Sequence, residues 1–280
     1  MTGDSHQVVR ELADGTVRRR LTAVLREALR RSGRCQVYLE LFSGTARFAR
    51  ALRRESQHEV IEFDISRGEE FDLTRRAVCR LVRGWITSGR VKGVWCAFPC
   101  STWSTARWPP LRSLACIHGI PEMLRDPRTA ALIDVGNRTL RAAVSVANLC
   151  CGVGVPMILE NPGYARSWHE PSMARLGARQ QVRDVLVDYC RFGTPWRKRT
   201  RLRGINVTEL ETLQLQCSGK QGLCYTGKPH QRLNGSDPKT HQLWTRLAEP
   251  YPPSFCKRAA AVLHRSSEHR MLNNLLRLGT

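Results

Sequence analysis

Lysine is scarce in this sequence: only six of its 45 basic residues are lysines, and the rest are arginines. Acidic residues are also few, 24 against those 45, which leaves a net charge of +21 and an isoelectric point near 10.5. An excess that large lies on the surface and excludes an acidic or neutral surface. A polyanion is the expected partner, and arginine suits bidentate phosphate and base contacts. A GC-rich genome would also raise arginine, so the sign of the charge is the firmer signal. Long apolar runs are missing, with no stretch near the ~20 residues of a membrane span, so no membrane association is expected. The first residues have no apolar signal core, and Asp4, Glu11 and Asp14 argue against an organelle presequence. Repeats and low-complexity linkers are absent as well.

Disulfide-like spacing is the last absence. The eleven cysteines are odd in number and scattered, so the thiols read as reduced and the protein as intracellular, nuclear in a eukaryote and otherwise cytoplasmic. With 41% hydrophobic residues in 280, the chain can bury a core, which excludes disorder over most of its length.

Apolar residues at helical spacing (Val17, Leu21, Val24, Leu25, Ala28, Leu29) predict a basic amphipathic helix over 16–31, either a solvated face or a phosphate-contacting one. Short apolar strands are predicted at Val37–Phe42, Val60–Asp64, 91–98, Val155–Leu159 and Val182–Tyr189. Helices are expected from Ser43 through Leu52, from about Arg75 to Thr87, near 127–150 and over Ser254–His264. This alternation predicts an open α/β sheet with its chemistry at the carboxyl ends of the strands. Between Asp64 and Asp72 there is no room for a crossover helix, so either the third strand is vestigial or that edge is wound differently. Residues beyond Gly204 turn polar and rich in Gly, Gln, Thr and Pro, which predicts a small inserted lobe.

Polar residues close the predicted strands. Gly44 lets a ligand approach the backbone where the first strand turns into a helix. Glu62 or Asp64 ends the next strand, where a carboxylate can accept hydrogen bonds from ribose hydroxyls, and Asp72 is placed to meet an adenine amino group; all three are alternatively ordinary strand-end caps. Cys100 follows a proline just beyond a buried strand, in a turn whose backbone amides could favour the thiolate. Glu160 ends a neighbouring strand and would face the same cleft. A thiol nucleophile beside a carboxylic acid suits attack on an electron-poor ring whose nitrogen is protonated as the bond forms, and cytosine is such a ring.

In order, the segments ELFSG, IEFD with Asp72, FPCSTWS, ENPG, DYCRFGTPWRKRTRL and YPPSFCKRAAAVL resemble the motifs of the cytosine-C5 DNA methyltransferases, in the manner of a divergent member. The resemblance covers about Val37 to Leu263. It implies a class I S-adenosylmethionine-dependent methyltransferase (Rossmann-like) α/β sheet with a small target-recognition lobe. Residues 1–34 would be a basic helical segment, 35–203 the catalytic domain, 204–250 the recognition lobe, and 251–280 a helix rejoining the catalytic domain, with one antiparallel strand at 182–189. It further implies that Leu41, Phe42, Ser43, Gly44, Thr45, Glu62, Asp64, Asp72 and Pro99 bind S-adenosylmethionine. By the same resemblance, Cys100 adds to C6 of a flipped-out cytosine, Glu160 serves N3 and the amino group, and Lys198, Arg199 and Arg201 steady the nucleotide and the loop. The partner is DNA, with RNA as a further possibility, and a monomer is expected.

A lobe of about forty residues predicts relaxed sequence reading, with affinity carried by phosphate contacts. The candidate DNA contacts are Ser101, Arg107, Arg112, Asn161, Arg197 and Arg203. Cys217, Cys224 and His230, completed by His241 or Cys256, form a candidate zinc set, although Cys-x6-Cys is wider than usual for zinc; free thiols are the alternative. Two rival readings stand beside this one. Asn161-Pro162-Gly163-Tyr164 resembles the loop of methyltransferases acting on exocyclic amines of cytosine or adenine. A catalytically inactive nucleic-acid binder would carry the same charge.

Overall fold

A computed structural model describes residues 3–278. Its elements are α1 (Gly3–Ser32), β1 (Val37–Leu41), α2 (Arg47–Ser56), β2 (Val60–Phe63), α3 (Arg76–Thr87), β3 (Val91–Cys96), α4 (Pro121–Leu124), α5 (Pro127–Val153), β4 (Met157–Pro162), α6 (Pro171–Gly177), β5 (Val182–Asp188), β6 (Arg199–Ile205), α7 (Trp244–Leu247) and α8 (Pro253–Leu278). No described helix is long and apolar enough to cross a membrane.

The six strands form one sheet in the order β2-β1-β3-β4-β6-β5. The four strands from β2 to β4 are parallel, and β6 runs against both its neighbours. This is the Rossmann-like α/β sheet expected from the sequence. The expected reversed strand is placed differently: β5 runs in the same sense as β1–β4, and the reversal belongs to β6, which the sequence analysis did not predict. Arginines at 199, 201 and 203 alternate with Thr200 and Leu202 and hide the strand among basic residues. Pairing with acids on β5, described below, is what lets them lie in a sheet.

Central strands are buried on both faces, and β1 and β3 are buried at every position, with Glu40 and Lys92 as their only charged residues. Their side chains divide by parity. Val37, Leu39, Leu41, Val94 and Cys96 enter one core with residues of α1, α3 and α5. Tyr38 and Trp95 enter the other with residues of α2 and α8. In that second core the Trp95 ring stacks on Phe48, centroids 4.1 Å apart, while Ala259 and Ala260 are fully buried, small side chains that allow close helix packing.

The missing third strand matches expectation: the chain after β2 makes two short 3-10 turns, Ile65–Arg67 and Glu69–Phe71. Helix α1 packs beside β2, and Val17, Leu21, Leu25 and Ala28 bury the stripe that its sequence spacing announced. Helix α5 begins at Asp126, whose carboxylate accepts from the Thr129 N–H, and stops at Gly154 in the left-handed conformation. Helices α1 and α8 extend beyond the expected 16–31 and Ser254–His264. From 206 to 252 the only regular pieces are a 3-10 turn at Leu210–Leu213, the four-residue α7 and two isolated bridges.

Candidate active site

The turn after β1 is built from unusual backbone. Phe42, Gly44 and Ala46 all have positive φ, at 59°, 47° and 53°. Gly44 has open space where a side chain would stand, and its N–H donates to Asp64 Oδ2 at 2.8 Å. That bond, with two donated by Ser66, holds Asp64 below the usual carboxylate range although burial pushes it up. Beside it the Ser43 hydroxyl is buried and has no hydrogen-bond partner. An orphaned hydroxyl next to an open glycine is a binding-site geometry, since a buried polar group is otherwise satisfied.

Cys100 stands in the long loop after β3. Its carbonyl accepts from the N–H groups of Trp103 and Ser104, each at 2.9 Å. Trp103 is buried, and the Arg112 guanidinium lies 3.6 Å above its ring. Arg112 then donates to the carbonyls of Thr102, Ile117 and Ile133 at 3.0 Å each, and to Asn137 Oδ1 at 2.6 Å. Gly136 on α5 permits this approach; a side chain there would lie 2.8 Å from Arg112 Nη2. The Asn161 amide completes the fastening by donating to the Phe98 carbonyl at 2.9 Å. A loop pinned at both ends holds its thiol in one place.

Glu160 reaches the same cleft from β4. The register Cys96↔Leu159 puts the two strand ends side by side. Cys100, Ser101 and Glu160 line one cleft of 390 Å³ with Ser43, Gly44, Thr45, Pro99, Lys198 and Tyr251. Glu160 is buried, and the Tyr251 hydroxyl donates to its Oε2 at 3.0 Å. Burial pushes the Glu160 carboxyl above its ordinary range, against the pull of Lys198 and Tyr251. Burial likewise pushes the Cys100 thiol up, against Lys198. The expectation of a thiolate favoured by backbone amides is therefore corrected: in the free protein the thiol is the stable form, and Lys198 is the cation placed to oppose both shifts. Its ammonium group also donates to the Ala248 carbonyl at 2.8 Å.

Several expected site residues lie elsewhere. The Leu41 side chain is buried in the core, and only its carbonyl, accepting from Ala97 at 3.1 Å, faces the loop. Glu62 opens toward a separate recess against α1, paired with Arg53 at 2.7 Å and with Arg67. Asp72 accepts from the Thr74 N–H and hydroxyl at 2.8 and 2.9 Å, a local turn ahead of α3. Neither acid lines the Cys100 cleft. The turn after β1 keeps open space and an unpartnered hydroxyl, whereas Glu62, the acid expected to meet a ribose, is held by arginines.

Three of the expected DNA contacts are corrected by burial. Arg112 has no exposed surface, Asn161 is buried on Phe98, and Arg203 is buried on Asp184, at 2.7 and 2.8 Å, and on the Met173 carbonyl. Arg197 and Arg199 converge on the buried Asp188, and Arg201 pairs with Asp184 at 3.5 Å. Burial raises Asp188, but Arg199, the Cys217 N–H and Arg197 together hold it below the ordinary range. Ser101 is exposed and Arg107 partly so.

Cys217, Cys224 and His230 do come together, but their fourth neighbour is Cys190, from the turn after β5. His241 is exposed and Cys256 is buried on α8. Cys190 escaped notice because it lies 27 residues before Cys217, outside the polar lobe.

Sequence reasoning also passed over Glu40, the single acid of the first strand. It is 1% exposed, its Oε2 accepts from the Ala49 N–H at 2.9 Å, and burial pushes its pKa up to about 8. In the unfolded chain the same carboxyl ionises near ~4.3. Its contribution to stability is therefore complete at acid pH and is lost as pH rises from about 4.3 through about 8. Glu40→Gln removes that loss, so the Tm of the variant minus that of the native chain should climb across this interval. Thermal melts at a series of pH values check it.

The Rossmann-like sheet thus brings a cysteine, a glutamic acid and a lysine to one cleft beside an open glycine turn. No protein-family model and no curated protein matches the chain. Among solved structures, the Entamoeba histolytica methyltransferase EhMeth is similar over 65% of this chain and 56% of its own, with 13% identity and a TM-score of 0.36. The chain spans little more than half the length of that protein, and a likeness of this size adds nothing to the strand order itself.

Proposed function

We propose that this protein is a DNA cytosine-C5 methyltransferase. The observation that carries the proposal is the meeting of Cys100 and Glu160, from the ends of adjacent strands, in one cleft with Lys198 and the Ser43–Gly44 turn. Ser43 and Gly44 would hold the amino-acid end of S-adenosylmethionine, which would supply an electrophilic methyl group. A cytosine stacked and paired in a duplex cannot bring its C6 to a side chain inside a cleft, so the base would be unstacked and turned into it, at a cost of a few kcal/mol.

The Cys100 sulfur then bonds to C6 as its S–H bond breaks and the thiol proton passes to solvent. Glu160, kept protonated by burial, donates its proton toward N3 and so accepts the electron density that moves into the ring. C5 becomes the nucleophile that takes the methyl group. Loss of the C5 proton to solvent and of sulfur from C6, with return of the N3 proton to Glu160 and uptake of a solvent proton by the departing Cys100 thiolate, then restores the ring and both side chains. Lys198 stabilises the transient thiolate and the ionised Glu160. Arg197 and Arg199, half-buried on either side of Lys198 in the chain and held by Asp188, would meet the flipped nucleotide's phosphate.

The exocyclic-amine reading needs Asn161 free to hold a base amine. Here its amide is spent on Phe98, and its Oδ1 accepts from Ser167 at 3.3 Å. The test is incubation with DNA and isotope-labelled S-adenosylmethionine, followed by nucleoside mass spectrometry. Labelled 5-methylcytosine is the expected product; N4-methylcytosine, N6-methyladenine or no labelled base refutes the assignment. A parallel arm with RNA fixes the nucleic acid.

A further inference from the structure

The polar lobe after β6 has little secondary structure, yet it brings four soft ligands to a point. We infer that Cys190, Cys217, Cys224 and His230 bind one zinc ion in a closed structural site that fastens this lobe to the end of β5. Their ligand atoms all lie within 4.8 Å of one another. Cys217 Sγ is 3.9 Å from Cys224 Sγ and 3.6 Å from His230 Nε2. Tetrahedral zinc, with Zn–S bonds of ~2.3 Å and Zn–N bonds of ~2.0 Å, places its ligand atoms about 3.5–3.8 Å apart. Three thiolates and one imidazole are a common structural zinc set, and all four positions come from protein, so none is left for a reacting water.

The surroundings are those of a ligand cluster rather than of idle thiols. The Tyr225 N–H donates to Cys217 Sγ at 3.3 Å, an outer-shell bond that stabilises a thiolate. An isolated bridge, Leu223↔Pro229, folds the chain so that Cys224 and His230 sit on one side. On binding, three thiols lose their protons to solvent and His230 coordinates as the neutral ring, which leaves the centre with a net charge of −1. Arg191, stacked 4.2 Å over the Tyr225 ring, and Arg197, 3.4 Å from the Cys217 carbonyl, supply the opposing charge.

The ion would join two segments that otherwise meet through few bonds. One is the Cys217 N–H donating to Asp188 Oδ2 at 2.7 Å, and Asp188 also holds Arg197 and Arg199. A small lobe without a core of its own needs such a staple. Zinc here acts on the placement of the arginine arm and takes no part in bond making.

The experiment is metal analysis of the full chain purified without added metal, with cobalt substitution as a second readout. About one equivalent of zinc per chain is expected, and visible bands of tetrahedral thiolate-bound cobalt after exchange. Cys190→Ser should lose more than about nine-tenths of the bound metal, whereas Cys35→Ser, at an exposed position remote in sequence from the cluster, should keep it. If Cys190→Ser is insoluble, the same question is answered on the native chain by thiol alkylation: bound zinc protects these three cysteines until a chelator is added. A chain that keeps its four ligands but binds no zinc overturns the inference, as does a Cys217–Cys224 disulfide or retention of metal by Cys190→Ser. None of these readouts depends on whether the protein methylates cytosine.

Discussion

Cys100→Ala should lower cytosine methylation by about 10³-fold or more, because Cys100 is the only thiol among the described residues lining the cleft and the hydroxyls around it are far weaker nucleophiles. The chain should remain folded, since the loop carrying residue 100 is held by its neighbours and by the backbone carbonyl rather than by sulfur. Binding of S-adenosylmethionine, read by calorimetry, should change little. Loss of turnover with cofactor binding retained separates a nucleophile from a structural cysteine. Equal loss of both would assign the thiol to the pocket instead. Cys100→Ser sharpens the same point: a hydroxyl is a far weaker nucleophile at neutral pH, so serine should not rescue the rate, although a donor atom returns to the same place.

Arg112→Ala should be the most destabilising exchange in the cysteine loop. The guanidinium is buried with no carboxylate partner, and burial depresses its pKa to about 10. Its worth lies in geometry: three backbone carbonyls, the Asn137 and Thr102 side-chain oxygens and the Trp103 ring all close on one planar group. Truncation leaves these acceptors buried and unpaired and opens a cavity beside Trp103. Part of that loss is offset, because the charge no longer has to be taken out of water. A net cost of about 3 kcal/mol follows, a fall in Tm on the order of 5–10 °C in a thermal melt. Arg112→Lys should recover little, since a single ammonium group cannot span acceptors spread around a plane. A variant that melts with the native chain would show that the loop is held by Trp103 alone.

The apolar periods announced most of the sheet. Strands β1 to β5 and the buried face of α1 follow from residues such as Val37, Leu39, Trp95, Leu21 and Leu25, whose burial on one side or both is written in their spacing. Strand β6 was illegible because its stabilisation is ionic: Arg199 and Arg203 become strand residues only when Asp188 and Asp184 stand opposite them, and those acids are remote in the local pattern. The reactive cleft was legible because Cys100 and Glu160 each close an apolar strand, and neighbouring strand ends of a parallel sheet share an edge. Burial was not legible for arginine. Arg112 and Arg203, which composition assigns to the surface, serve as struts inside, and Asn161 spends its amide on the loop. Glu62 and Asp72 fell outside the cleft because their neighbours Arg53, Arg67 and Thr74 engage them first. The fourth member of the cysteine cluster was hidden by distance along the chain, since Cys190 belongs to a different segment from Cys217.

The central claim is that the sulfur of residue 100 bonds to carbon 6 of a cytosine turned out of its helix. DNA in which 5-fluorocytosine replaces cytosine tests this directly, because fluorine blocks the loss of a proton from C5 and leaves the enzyme attached. Incubation with that DNA and S-adenosylmethionine, then nuclease digestion and peptide mass spectrometry, should place a methylated fluoropyrimidine nucleotide on the peptide containing Cys100. Attachment to another cysteine, or methyl transfer to ordinary DNA with no adduct on the fluorinated duplex, would contradict the account.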